Sequence, residues 1–330
     1  MPVLHRKRRI GVISTLVWDV IYGQPPHDDP VEGWGGVSYT LSGLDAALEP
    51  SWEIIPLIKV GHDLIDRARE FLGTLRRVAP DAELIEVPEK NNRSELRYYS
   101  DERRSEFLSG GVPGWTWEEL RERLDAARVE ALYVNFLSGW EMDLATARTL
   151  RAQFDGPIYS DIHMMAWAVL PSGLRTLRPI EHAAAWCGCF DFIQVNEDEM
   201  PMLSTDARSL AHMASAHGAR CTVVTLGRKG VIYFASPDVS DLMEKSNARR
   251  AGVSPGVLRT AILAPEAVRE GPGVDPTGCG DVWGSTYFSR LLAGDDMSDA
   301  MRAANRAAGR NVERRGVVGL ADYLRADNHS

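Results

Sequence analysis

The sequence predicts an α/β fold built on a largely parallel sheet, and three observations carry that expectation. Short apolar runs alternate with helix-patterned segments along the whole chain, as in a layered α/β arrangement. The runs at 131–136, 190–195 and 221–226 are apolar on successive residues, which suits strands buried on both faces of a parallel sheet. The chain has 330 residues, 44% hydrophobic and 25% charged, enough for one large unit with an attached subdomain.

Strands are expected at 10–17, 52–60, 82–87, 131–136, 157–160, 190–195, 221–226 and 231–235. Helical spacing covers 37–48, and Thr116-Trp117-Glu118-Glu119 is a capping-box pattern that opens another helix. A further helix spans about 206–217 and ends at Gly218. Past Gly280, Trp283, Tyr287 and Leu291 fall at i, i+4 and i+8, and Gly294 supplies the stop. Two stretches break this rhythm. Residues 22–36 are rich in proline and glycine and are expected as a loop. Residues 89–111 are polar and charged around a strand-like Leu96-Arg97-Tyr98-Tyr99, and are expected as a polar strand projecting from the sheet as a lid.

Charge and composition exclude several classes. With 37 basic and 46 acidic side chains the net charge is −9, which disfavours a nucleic-acid partner. The one dense basic run, residues 5–9, reads as a solvated leader to the first strand. No run of about 18 apolar residues implies a membrane span, and no signal-peptide pattern opens the chain, so a reduced cytoplasm is expected. Cys187, Cys189, Cys221 and Cys279 do not form a disulfide framework. Cys187-Gly188-Cys189 with His182 lacks the second ligand pair of a zinc site, so buried free thiols are expected. No lysine follows a glycine, so there is no Walker A loop, and the first strand turn lacks the glycine spacing of a dinucleotide site.

The chemistry concentrates at Gly273-Val274-Asp275-Pro276-Thr277-Gly278-Cys279-Gly280-Asp281. Gly278 and Gly280 lie at a helix N-terminus, where unpaired N–H groups and the positive end of the helix dipole bind anions. An aspartate beside such a site weakens anion binding. Asp281 therefore either stabilises the helix start or accepts a proton next to a phosphoryl group in transfer.

Asp275-Pro276-Thr277-Gly278-Cys279-Gly280-Asp281 resembles the C-terminal signature of the ribokinase-like (PfkB) carbohydrate kinases, with proline after the first aspartate and cysteine where alanine is usual. The resemblance implies a three-layer α/β/α fold with a small β lid built from parts of 17–36 and 88–112. It implies that Asp281 is the catalytic base and that the backbone of Gly278, Cys279 and Gly280 is the anion hole. Gly35 and Gly36 resemble the glycine pair that shapes the sugar site, though Ser38, Tyr39 and Thr40 stand where an asparagine is common. Asp19 matches the aspartate that grips sugar hydroxyls, with Trp18 and Trp34 beside it offering an aromatic face. Asn196 and Glu199 match the N-x-x-E motif that organises magnesium through water and phosphates. Thr225, Gly227 and Gly230 match a turn lining the nucleotide site, and 303–316, with Asn305, resembles the helix beside the adenine. ATP and Mg2+ are the implied cofactors, with room for a monovalent cation near Asp275.

Taken alone, Asn196 to Glu199 also read as a helix cap, Gly227 and Gly230 as a hairpin turn, and Asp19 as a loop residue bonding its own backbone. His163 reads as a packed or surface histidine. The implied activity is ATP-dependent phosphorylation of a hydroxyl, a primary alcohol, on a small sugar-like substrate. A nucleoside or vitamin-precursor kinase of the same fold, or a non-catalytic nucleotide- or metabolite-binding protein, are the alternatives. Pairing of two copies through the lid stays open.

Overall fold

The computed structural model of the protein describes residues 6–23, 29–99, 104–237, 239, 257–265 and 274–326. Gly273 of the glycine-rich signature, and 24–28 and 100–103 of the two stretches assigned to a lid, lie outside these residues. In chain order the first half comprises β1 (Arg8–Tyr22), β2 (Val31–Gly36), α1 (Val37–Ala47), β3 (Trp52–Gly61), α2 (Ile65–Gly73), β4 (Ile85–Val87), β5 (Arg93–Tyr98), β6 (Arg104–Ser109), α3 (Trp117–Ala127), β7 (Ala131–Asn135) and α4 (Leu144–Gln153). There follow β8 (Ile158–Asp161), β9 (Trp167–Val169), β10 (Arg175–Leu177), α5 (Ala183–Cys187), β11 (Phe192–Asn196), α6 (Ala207–Ala216), β12 (Cys221–Thr225), β13 (Val231–Ala235), β14 (Arg259–Leu263), α7 (Cys279–Ala293), α8 (Met297–Val312) and α9 (Leu320–Arg325).

The central sheet has the order β14-β13-β12-β11-β8-β7-β1-β3-β4, parallel from β4 to β12 and antiparallel at β13 and β14. The inner parallel strands are buried on both sides. In β7, Ala131 and Tyr133 join a core formed with α1, α2, α7 and α8, while Leu132 and Val134 join the opposite core with α3, α4 and α6. Alternation of side chains across a strand makes every residue of such a segment apolar. The result is three layers.

β1 is long enough to serve two sheets. Arg8 to Thr15 pair with β3 in the centre, and Leu16 to Ile21 pair antiparallel with β2. The same outer half pairs with β5, which turns back along β6. The expectation of a loop over 22–36 is thus corrected: its second half is strand β2. The glycines that suggested a loop admit a close approach instead, since a Cβ on Gly35 would collide with the Asp19 carboxylate. The polar stretch after residue 89 contains two strands, β5 and β6, where one was expected.

Helix starts follow local chemistry. Thr116 and Glu119 form the reciprocal capping box of α3, and Asp143, Asp206 and Asp296 cap α4, α6 and α8 by accepting backbone N–H bonds. By contrast, α1 and α7 begin at Gly36 and Gly278 with no side-chain cap. The basic run at the start of β1 is paired rather than merely solvated: Lys7 meets Glu53 at 3.1 Å and Arg9 meets Asp81 at 2.7 Å. All four cysteines are free thiols. Among the described residues no helix is long and apolar enough to cross a membrane.

α7 lies flush on the sheet because residue 284 is glycine. A Cβ there would stand 2.5 Å from the Tyr133 hydroxyl and 2.9 Å from that of Tyr159, and closer still to Gln194 Oε1. Gly284→Ala is expected to lower stability, with overpacking of about 1–3 kcal/mol only partly offset by about 1 kcal/mol of helix propensity. Chemical denaturation reads the difference, and a variant as stable as the parent would show that α7 has slack.

Candidate active site

The parallel strands finish on polar residues: Asn135 on β7, Asp161 on β8, Asn196 on β11 and Thr225 on β12. Register sets Asn135 beside Asp161 and Asn196 beside Thr225, so the four form a row along the carboxyl edge of the sheet, where open α/β sheets bind ligands. The N-terminus of α7 is tied to this row, for Gln194 of β11 donates through Nε2 both to Asp161 Oδ2 at 3.0 Å and to the Gly280 carbonyl at 3.1 Å.

Asp281 lies in the first turn of α7. Its Oδ1 accepts from Asn135 Nδ2 at 2.6 Å and from Thr40 Oγ1 at 3.0 Å, and Asn135 also donates to Thr40 at 3.0 Å. Burial raises the Asp281 carboxyl above the ordinary aspartate range, against the nearby His163 imidazole and the bonds from Asn135 and Thr40. The N–H groups of Gly278 and Gly280 have no acceptor among the described residues. The expected third member of the anion hole is corrected: the Cys279 N–H donates to the Pro276 carbonyl at 3.1 Å, because the turn into α7 closes on itself there. Burial pushes the Cys279 thiol up to about 11, so it brings no charge to the turn. Asp275 Oδ1 accepts from the Thr277 N–H at 2.9 Å and shapes the same turn.

Glu199 is fully enclosed. Its carboxylate accepts from His163 Nδ1 at 2.6 Å, from Asn196 Nδ2 at 2.7 Å and from the Asn196 N–H at 3.1 Å. Asn196 in turn accepts from the Glu199 N–H at 2.8 Å, so it closes the turn after β11 and also orients the acid, while the short 3-10 turn that follows has no side-chain cap. Burial would lower the His163 imidazole, but Glu199, with Asp161 and Asp281 behind it, raises it to about 10. His163 holds a positive φ of 24°, uncommon for a side chain of its size.

At the other end, Asp19, Gly35 and Gly36 meet where β1 and β2 pair. Gly35 lies against the Asp19 carboxylate, and Gly36, at φ 49°, faces Leu137. Arg175, buried, donates to the Leu137 carbonyl at 2.8 Å and meets Glu106 of β6 at 3.2 Å, joining the projecting sheet to this corner. Trp18 is not part of it. Neighbours on a strand face opposite ways, and the Trp18 ring packs edge-on against Trp34 at 5.0 Å while its N–H donates to Glu32 at 2.8 Å.

The hairpin between β12 and β13 lies at the far end of the row. Gly227 and Gly230 have φ of 53° and 91°, and Leu226 N–H bonds the Gly230 carbonyl at 2.8 Å. They are the hairpin turn that the bare sequence suggests, and strand register sets it beside Asn196. Asn305, expected near an adenine, is spent internally: it accepts from Trp283 Nε1 at 2.7 Å and donates to the Ala264 carbonyl at 2.7 Å.

Sequence reasoning missed Asn135, Asp161 and Gln194 and underrated Thr40 and His163. One signal was available, a polar residue closing an apolar strand run. Asn135→Ala removes a donor to the charged form of Asp281 and is expected to raise that carboxyl further, read by carboxyl-carbon NMR titration. An unchanged titration would release Asn135 from this role.

Residues 170–322 match the family model described as pfkB family carbohydrate kinase. No curated protein sequence matches the chain. Among solved structures, it is similar to a pyrophosphate-dependent kinase of the ribokinase family complexed with a pyrophosphate analogue and myo-inositol, at 15% identity over 96% of this chain and 99% of that one, TM-score 0.71. It is also similar to an Arabidopsis thaliana ribokinase complexed with ribose and ATP (15% identity, 96% and 98% covered, TM-score 0.65). A Burkholderia thailandensis nucleoside kinase in complex with inosine is alike too (14% identity, 97% and 95% covered, TM-score 0.65). The signature at α7 lies within the matched residues 170–322, and the three-layer fold agrees with the fold of these ribokinase-family kinases, so the C-terminal part of the chain resembles the pfkB family of carbohydrate kinases.

Proposed function

We propose that the protein transfers the γ-phosphoryl group of ATP, with magnesium, to a hydroxyl, a primary alcohol, of a small sugar-like acceptor. The observation that carries this is the half-buried Asp281 carboxylate, held by Thr40 and Asn135 beside two N–H groups that have no acceptor among the described residues. A protein that only binds gains nothing from a carboxylate facing an anion site. Phosphoryl transfer needs a proton acceptor next to a charge-stabilising cradle. Asp281 takes the hydroxyl proton, Gly278 and Gly280 hold phosphoryl oxygens, and Asp19 accepts from neighbouring acceptor hydroxyls. Asn196, Thr225 and the hairpin glycines Gly227 and Gly230 line the donor side.

The donor set fits hydrated magnesium. Asp161, Glu199 and Asp281 are hard oxygen donors, and among the described residues no three acidic, histidine or cysteine side chains converge as a direct cage, so water and phosphate oxygens would complete the shell. When bound, magnesium neutralises phosphate charge and aligns the transferred group. The sheet of β1, β2, β5 and β6 is read as a lid that excludes water. One observation favours a second donor: Asn305 is unavailable to an adenine, and one structurally similar kinase is pyrophosphate-dependent. Release of ADP from ATP and of phosphate from pyrophosphate, screened over sugars, sugar acids, nucleosides and vitamin precursors, tests both. A full screen without acceptor-dependent release from either donor would sink the kinase reading.

Asp281→Asn is expected to lower kcat by about 10²- to 10⁴-fold while keeping donor affinity. Because Asp281 acts deprotonated and its carboxyl is raised, the acid limb of kcat/KM should lie above the ordinary aspartate range. Turnover within about threefold of the parent would remove Asp281 from the chemistry. Glu199→Gln should raise the magnesium concentration giving half-maximal rate. An unchanged magnesium titration leaves Glu199 as a cap for the turn after β11.

A further inference from the structure

Tyr39 of α1 reaches the glycine turn of α7. Its ring lies against Gly278 so closely that a Cβ on that glycine would overlap the ring carbons. The residue is 3% exposed, and its hydroxyl, which is not fully enclosed, has no hydrogen-bond partner among the described residues. Buried phenols usually find one. Tyr39 directly precedes Thr40, which holds Asp281, and lies four residues past Gly35, which borders Asp19. The carboxylates of Asp19, Asp275 and Asp281 all act on its hydroxyl. Burial first, and then those carboxylates, hold the phenol well above its usual range, so it is a neutral donor at neutral pH.

Resting on the acceptor site described above, we propose that Tyr39 contacts the acceptor: its hydroxyl donates to an oxygen near the one that takes the phosphoryl group, and its ring walls the cavity at the Gly278 turn. The surroundings set the acceptor class. Three carboxylates repel an acceptor that already carries phosphate or carboxylate at this end. They accept hydroxyl protons, and Tyr39 returns a donor to a hydroxyl oxygen. An uncharged polyol satisfies both.

Binding of myo-inositol, D-ribose and inosine to the donor-free protein, by calorimetry, separates this from catalysis. At least one of the three should bind the wild type. Tyr39→Phe keeps the ring on Gly278 and should weaken that binding about three- to tenfold, with unchanged magnesium–ADP affinity and thermal midpoint. Tyr39→Ala should in addition admit a bulkier acceptor. Equal affinity of the wild type and Tyr39→Phe overturns the contact, and failure of every polyol to bind the wild type overturns the acceptor class. Binding that depends on Tyr39 without any phosphoryl transfer would instead retain the contact and discard the kinase reading.

Discussion

Three segments remote in the chain converge on one carboxylate. Asp281 receives bonds from Thr40, 241 residues away, and from Asn135, 146 residues away. That meeting requires α7 to lie directly on the sheet and on α1, and small residues make this possible. Gly284 leaves space for Tyr133, Tyr159 and Gln194, and Gly43 of α1 leaves space for Ser285. A bulkier residue at either point would lift the helix and loosen the grip on its first turn. The position of the acid is therefore a packing result before it is a chemical one.

Charge at the strand ends is concentrated. Asp161, Glu199 and Asp281 lie around one imidazole, and burial opposes ionisation of Asp161 and Asp281. Such clusters oppose folding unless each member is bonded, because removing charge from water costs several kcal/mol per ion. Here the bonding is dense: Gln194 serves Asp161, Asn196 and His163 serve Glu199, and Asn135 and Thr40 serve Asp281. Asn135 Oδ1 alone of this network is enclosed without a partner, and so dense a set of bonds is rigid, which suits a site that must orient a ligand.

The long first strand explains the rest of the site. Its inner half belongs to the parallel sheet and its outer half to the projecting one, so Asp19 is carried on a continuous strand rather than on a loop. Period-two alternation then separates neighbours: Asp19 faces Gly35, and Trp18 faces Trp34. Arg175 fastens the same corner by bonding the Leu137 carbonyl and reaching Glu106.

The layered fold, eight of the strands, the capping box at Thr116 and the glycine stop at Gly294 were all determined by local pattern, since apolar runs and caps act through neighbours in the chain. The signature around Asp281 was equally plain, because Gly278, at φ 74°, is demanded by a turn that only a few residues can form. β2 was hidden by glycines whose purpose is a contact with another strand. Trp18, Cys279 and Asn305 were assigned by position in a motif, and tertiary contacts gave each a different partner. Asn135, Gln194 and His163 were invisible as a group, because a hydrogen bond across 30 to 150 residues leaves no periodicity behind. Sequence determines what each segment becomes; only the packing of α7 and α1 on the strand ends decides which polar atoms meet, since that depends on distances set by the whole core.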